Sequence, residues 1–253
     1  MFFNIKKEKK YNYIEEGEGQ ALVLLHGLMG GLSNFNPLTK YFSKAGYKVY
    51  IPQLPIYSLP ILKTNVSTIA KYVHSFIDDI VKEPCVLIGN SLGGHVGLIV
   101  THVFPSSVRG LVLTGSSGLY EKSFGETFPK RGNYEYVKTK SEEVFYDPKV
   151  ATKEIVDEVF NTVNDRKKAI KTLYIARSAI KHNMAKDLPS IKKPVLLIWG
   201  KQDPVTPPEV AIEMNRLLPN ASLHWIDKCG HAPMMEHPDE FNSLLDSWLK
   251  KLK

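Results

Sequence analysis

Gly89-Asn90-Ser91-Leu92-Gly93-Gly94 decides how this chain is read. The stretch directly follows the apolar run Cys85 to Ile88 and directly precedes the helical pattern Val96 to Phe104, so a G-x-S-x-G motif stands in strand-turn-helix context. A turn this sharp puts the central serine in a strained backbone conformation and leaves no room for side chains two residues before and after it. Glycine stands at both places. The turn lifts the Ser91 hydroxyl clear of the sheet and sets it at the positive end of the next helix, beside the N–H of Leu92, where developing oxyanion charge is stabilised. Other glycine loops do not fit: a dinucleotide fingerprint needs glycine where Ser91 stands, and a phosphate loop needs a terminal Gly-Lys-Ser/Thr.

Outward from this motif, short apolar runs alternate with longer amphipathic ones. Ala21 to Leu25, Lys48 to Ile51, Cys85 to Gly89, Arg109 to Thr114, Val195 to Gly200 and Ser222 to Ile226 read as strands, several continuously apolar as a sheet buried on both faces requires. Helices are predicted over Asn34 to Ala45, Thr64 to Lys82, Gly93 to Phe104, Pro207 to Leu217, with its N-cap at Thr206, and Pro238 to Leu252. The alternation predicts an α/β fold with a mostly parallel, doubly wound sheet. From about Leu119 to Leu188 no buried strand stands out, and Val150 to Asn164 and Arg166 to Lys181 read as helices. The expected organisation is a core of residues 1–118 and 189–253 with a helical cap, 119–188, inserted after the strand ending near Thr114. Loops at the carboxyl ends of parallel strands surround the ligand crevice, so this insertion is expected over the site.

Composition bounds the reading. The 253 residues are 43% hydrophobic and 23% charged, with 33 Lys and Arg against 26 Asp and Glu, a formal charge of +7. This describes a globular domain, one large or one with an insertion. No apolar run approaches the roughly 18 residues of a membrane span. The lysines are scattered, with small clusters at Lys6 to Lys10 and Lys250 to Lys253, and read as solvated faces rather than a nucleic-acid footprint. The start, Met1-Phe2-Phe3-Asn4-Ile5 before Lys6, lacks the apolar core of a signal peptide, so a cytoplasmic location is expected. Cys85 and Cys229 match no paired metal spacing. No metal or organic cofactor is expected.

A serine hydroxyl needs a general base within reach, itself oriented by a third group. His231 follows the last strand in Asp227-Lys228-Cys229-Gly230-His231, and Asp203 follows the preceding strand in Gly200-Lys201-Gln202-Asp203-Pro204, so both fall at the same sheet edge as Ser91. The order Ser, Asp, His suits this architecture. Alternatively, Asp203 starts a turn or caps the helix at Thr206, and Asp227 is the rival acid. His95, in the first turn behind Ser91, makes a poor base because a helix N-terminus disfavours imidazolium; His74, His182, His224 and His237 read as structural. His26-Gly27-Leu28-Met29-Gly30-Gly31, after the strand Ala21 to Leu25, offers a second oxyanion donor in the N–H of Leu28, with His26 bracing the loop.

With these segments in place the sequence resembles the α/β-hydrolase superfamily over nearly its whole length outside the cap. His26-Gly27 matches the oxyanion loop, Gly89 to Gly93 the nucleophile elbow, Asp203 the acid and Gly230-His231 the histidine. The resemblance implies an eight-stranded sheet with two further N-terminal strands near Phe2 to Lys6 and Tyr11 to Glu15. It implies a capped serine hydrolase, similar to small-molecule carboxylesterases and to hydrolases of carbon-carbon bonds in meta-cleavage products. The latter usually carry an aromatic residue after the histidine and a cap arginine; here Ala232 follows His231, and Arg131, Arg166 and Arg177 are unplaced. Cleavage of small-molecule carboxylic esters through an acyl-enzyme on Ser91 is therefore the leading expectation, with Asp203 and His231 as partners and Leu28 and Leu92 as the oxyanion hole. Carbon-carbon hydrolysis is the alternative, and a non-catalytic ligand-binding member of the same fold the second alternative. Met29, Met234 and Met235 are expected in an acyl pocket, though ordinary packing explains them equally. A small-molecule ester partner, no nucleic acid, and a monomer or homodimer complete the expectations.

Overall fold

The computed structural model of the protein describes residues 4–120 and 132–252. Eight strands form one sheet: β1 (Lys6–Glu8), β2 (Tyr11–Glu16), β3 (Gln20–Leu25), β4 (Tyr47–Pro52), β5 (Cys85–Asn90), β6 (Val108–Thr114), β7 (Val195–Gly200) and β8 (Ala221–Ile226). The helices are α1 (Asn36–Phe42), α2 (Val66–Phe76), α3 (Leu92–Val103), α4 (Tyr134–Glu142), α5 (Lys153–Asn164), α6 (Arg166–Lys181), α7 (Pro208–Leu217), α8 (Pro233–Glu236) and α9 (Pro238–Leu249). The sheet runs β1-β2-β4-β3-β5-β6-β7-β8. β1 and β2 are antiparallel to their neighbours, and β3 to β8 are mutually parallel.

The continuously apolar strands are buried on both faces. Val23, Leu25, Leu87, Leu111 and Leu197 meet one core with Val66, Ile69, Val73 and Phe76 of α2, Val96 of α3 and Met214 of α7. Leu22, Leu24, Ile88, Val112 and Ile198 meet the other with Leu38 and Phe42 of α1 and Phe241, Leu245 and Leu249 of α9. Each fully buried apolar side chain contributes roughly 1.5–3 kcal/mol, so a one-residue slip, which exchanges the faces, is strongly disfavoured. α2 shows the local logic: its buried residues recur at helical spacing from Val66, and the Asn65 side chain caps it by accepting from the N–H of Thr68 at 2.8 Å.

From β3 the chain moves outward to β4 and then returns to β5 on the other flank of β3. The connections leave β3 in opposite directions, and the strand ends there open the crevice that such sheets use for ligands. The segment between β6 and β7 holds α4, α5 and α6, and among its described residues there is no strand. Its two ends meet: Met184 donates its N–H to Gly118 O at 2.8 Å, and Asn183 Nδ2 donates to Leu119 O at 2.8 Å.

Several boundaries differ from the sequence reading. The first strand lies at Lys6–Glu8 rather than Phe2 to Lys6, because Lys9, at φ 52, turns the chain so that Lys6 pairs with Tyr13; Phe2 lies outside the described residues. Helix α5 begins at Lys153, since Pro148–Val150 is a 3-10 turn whose Lys149 N–H is capped by Asp147. Helix α7 begins at Pro208 without a side-chain cap, because the Thr206 hydroxyl donates to Asp203 Oδ2 instead. Among the described residues no helix is long and apolar enough to cross a membrane.

Candidate active site

Ser91 sits between β5 and α3 at φ 54, ψ −119, a conformation sparsely populated by residues with side chains. The close approaches are real. A Cβ on Gly89 would lie 2.5 Å from the Gly93 carbonyl carbon, and a Cβ on Gly93 would lie 1.9 Å from Leu25 O at the end of β3. The main chain holds the turn: Ser91 N donates to Thr114 O at 3.1 Å, and Ser91 O accepts from the N–H groups of His95 and Ser117, each at 3.2 Å. Leu92 opens α3, in the first turn where N–H groups have no intrahelical acceptor.

The acid and the histidine meet. Asp203, its side chain withdrawn from solvent, places Oδ2 3.0 Å and Oδ1 3.1 Å from Nδ1 of His231. Its own backbone neighbours orient it: Oδ1 accepts from the N–H groups of Val205 at 2.8 Å and Thr206 at 3.0 Å, and Oδ2 accepts from Thr206 Oγ1 at 2.8 Å. The carboxylate that caps this turn is thus the same one that meets His231. Asp227, the rival, is exposed, with Gln202 Nε2 at 3.4 Å and Lys201 Nζ at 3.5 Å. The loop bearing His231 is tied to the serine turn through Asn90, whose Nδ2 donates to His231 O and Thr114 O, both at 3.1 Å. Sequence reasoning missed Asn90 and Thr206. Asn90 lies inside the motif, at a place the motif leaves open, and Thr206 was assigned to the helix cap.

His26 is buried and braces its loop. Leu54 N–H donates to Nε2 at 3.2 Å, which fixes Nε2 as acceptor, so Nδ1 carries the proton and donates to Gly27 O at 2.9 Å. Burial holds its pKa below the ordinary histidine value. A Cβ on Gly27 would lie 3.3 Å from Ser91 Cβ, so this loop, with Leu28 next along it, closes over the serine. His95 is also buried, and its pKa is pushed down to about 3 by desolvation first and then by the charge of His182, whose Nδ1 lies 3.1 Å from His95 Nε2. It is a poor base, chiefly through burial rather than the helix N-terminus.

A cavity of about 350 Å³ adjoins the His26 loop. Leu28, Met29, Gly31, Tyr57 and Glu158 are among its lining residues, whereas Ser91, Asp203 and His231 are not. Of the three methionines, Met29 reaches it. Met234 is buried in the core that also holds Leu24 and Phe241, and Met235 packs on the same core, so ordinary packing accounts for both. Glu158 is exposed as a residue, yet its carboxylate lies against Gly31, where a Cβ would meet Oε1 at 2.9 Å; desolvation there raises its pKa, opposed by Lys168. Arg166 and Arg177 are exposed on α6, and Arg131 lies outside the described residues. Among the described residues no group of three or more His, Cys, Asp or Glu is arranged to hold a metal.

The Alpha/beta hydrolase family model matches residues 22–244. A 2-hydroxy-6-oxononadienedioate/2-hydroxy-6-oxononatrienedioate hydrolase from a Pseudomonas species is 27% identical over 257 residues, which cover 94% of this chain and 90% of that protein. A 2-hydroxy-6-oxo-6-phenylhexa-2,4-dienoate hydrolase from Comamonas testosteroni is 26% identical, covering 95% of this chain and 91% of that one. Among solved structures, an alpha/beta hydrolase enzyme from the sediment metagenome of the Mar Chica lagoon, Morocco, is 53% identical with a TM-score of 0.81, covering 98% of each chain.

Proposed function

From the premise that this chain belongs to the alpha/beta hydrolase family and is a hydrolase, we propose that it works by acyl transfer to Ser91, with His231 as base, Asp203 as orienting acid and residues 119–188 as a cap. The observation that carries this reading is the buried Asp203 carboxylate 3.0 Å from Nδ1 of a histidine whose loop is tied to the serine turn. His231 Nδ1–H donates to Asp203, which leaves Nε2 to take the Ser91 proton as Oγ attacks a carbonyl carbon. The amides of Leu28 and Leu92 hold the oxyanion of the tetrahedral intermediate. The imidazolium returns its proton to the leaving group, and water, activated by the same histidine, releases the acid. No step calls on a metal or an organic cofactor.

The leaving group sets the finer reading. The relatives' names support carbon-carbon hydrolysis of a meta-cleavage dienoate, and this now takes precedence over the ester expectation. There the bond broken joins the acyl carbon to a carbon whose electron pair is delocalised into the conjugated enone, and that carbon receives the proton. Ester hydrolysis is the second reading, and two observations favour it: Ala232 follows His231, and Arg166 and Arg177 are exposed.

The test measures p-nitrophenyl esters from acetate to decanoate beside a meta-cleavage dienoate, with wild type and Ser91→Ala. Loss of about 10⁴ to 10⁶ in turnover in a folded Ser91→Ala supports the nucleophile. Dienoate cleavage with negligible ester turnover establishes the carbon-carbon hydrolase, and the converse the esterase. Binding without turnover of either substrate, and no labelling of Ser91 by an organophosphorus probe, would indicate a non-catalytic ligand-binding protein.

A further inference from the structure

The loop that carries His231 has no regular structure of its own between β8 and α8, so something outside it must hold the histidine still. Asn90 holds its carbonyl and Asp203 its ring. A further contact comes from the inserted segment: His231 N–H donates to Val144 O at 2.9 Å. Glu236, the last residue of α8, completes this contact from both sides. Its Oε1 accepts from the N–H of Gly230 at 2.8 Å, and its Oε2 accepts from the N–H of Tyr146 at 2.7 Å. One carboxylate thus joins the residue before His231 to the turn that receives the N–H of His231. The two backbones are pressed together, for a Cβ on Gly230 would lie 2.6 Å from Val144 O and 2.9 Å from Tyr146 N.

The chemistry of the group suits this use. Both N–H groups need acceptors, and only a carboxylate offers an acceptor oxygen to each; an amide offers one and turns its NH₂ toward the other. Hydrogen bonds to an ionised acceptor are shorter and stronger than neutral ones. Burial also charges a cost here, as it pushes the Glu236 pKa up against the backbone donors that pull it down. Besides Gly230 and Tyr146, the backbones of Asp147 and Ala232 also bond the carboxylate, so it is held by main chain of both the His231 loop and the inserted segment.

We infer that Glu236 is a positioning residue for His231, and that the Val144 to Tyr146 turn is part of the seat of the base rather than only a cover over the substrate. This rests on the proposed roles of Ser91 and His231. A misplacement of about 1 Å in a catalytic group can cost on the order of 10²-fold in rate. Substrate binding, which does not depend on the aim of the imidazole, is left nearly intact.

The experiment compares full-length wild type, Ser91→Ala, Glu236→Gln and Glu236→Ala. A fluorophosphonate probe gives two readouts, the fraction of molecules labelled and the rate constant of labelling, beside kcat and KM on p-nitrophenyl butyrate or, if esters are not turned over, on a meta-cleavage dienoate. For Glu236→Gln we expect complete labelling, a labelling rate constant and kcat reduced about tenfold, and KM within about twofold of wild type. Glu236→Ala is expected to fall further, by about 10²-fold, so that Gln is a partial rescue. If Ala does not fold, the Gln variant alone decides. A rate constant in Gln within twofold of wild type overturns the inference, as does reduced labelling at an unchanged rate constant, which would mark a purely structural residue. Failure of the underlying mechanism is separately visible, because Ser91→Ala would then keep both labelling and turnover.

Discussion

Replacing Asp203 by Asn tests the proposed mechanism at a point where the geometry dictates which atom goes where. Five contacts converge on the carboxylate. Two come from the backbone N–H groups of Val205 and Thr206, which reach only Oδ1 and cannot become acceptors. An asparagine therefore keeps its carbonyl oxygen in the Oδ1 position and places its NH₂ where Oδ2 stood, facing Thr206 Oγ1 and His231 Nδ1. The hydroxyl adapts by turning to accept. The imidazole adapts only by moving its proton from Nδ1 to Nε2, since otherwise two donors face each other at 3.0 Å. That tautomer presents N–H to Ser91 and cannot take its proton, and the negative charge that stabilises the imidazolium is gone. The analogous change in serine proteases lowers kcat about 10⁴-fold with the geometry intact, and the same order is expected here. Because the turn accepting from Val205 and Thr206 survives, the urea unfolding midpoint should correspond to a loss of no more than about 2 kcal/mol. Single-turnover kinetics on the preferred substrate, with urea melts on the same preparations, provide the measurement. A folded Asp203→Asn enzyme within tenfold of wild-type kcat would refute the reasoning, because the acid would then not govern the histidine.

Three other outcomes follow from the same geometry. Thr206→Val removes the hydroxyl that donates to Asp203 Oδ2; kcat should fall by about 5- to 20-fold with KM little changed, in keeping with one lost hydrogen bond to a charged acceptor, as steady-state kinetics will read. Gly93→Ala forces a Cβ to 1.9 Å from Leu25 O, a main-chain atom that cannot yield without moving β3; the variant should lose more than about 3 kcal/mol or fail to fold, to be followed by urea melts and soluble yield. His95, neutral in the folded protein with its pKa at about 3, takes a proton on unfolding at any pH below its ordinary value of 6.5. The folded state therefore binds fewer protons across that window, and stability falls as pH drops from 6.5 toward 3. His95→Asn removes this term, so its stability relative to wild type should rise between pH 7.5 and pH 5 in paired urea melts, and a constant difference would contradict the assignment.

What was legible in the sequence divides along physical lines. The sheet could be read because a strand buried on both faces must be apolar throughout, as the interiors of β3, β5 and β7 are, and its alternation with helices argued a doubly wound order. The meeting of Asp203 with His231 could be read because both follow adjacent parallel strands, which align their carboxyl ends whatever the intervening length. The family model then covers residues 22–244, from within β3 to within α9. Contacts between an inserted segment and the sheet obey no such periodicity. Val144 and Tyr146 use main-chain atoms to seat the His231 loop, and a main-chain donor leaves no trace in residue identity. Only the far partner, Glu236, has a side chain to choose, and no spacing rule singles out one glutamate as the acceptor of two distant main-chain N–H groups. Thr206 was misread for a related reason: a threonine two residues before a helix fits a cap as readily as it fits a donor to a buried carboxylate, and only the position of Asp203 separates the two. The lesson for substrate choice is the same. The residues proposed for acyl transfer stand at strand ends and are legible; the insertion meets the core through contacts such as Lys171 Nζ donating to Tyr57 O at 2.7 Å, which no spacing rule foretells.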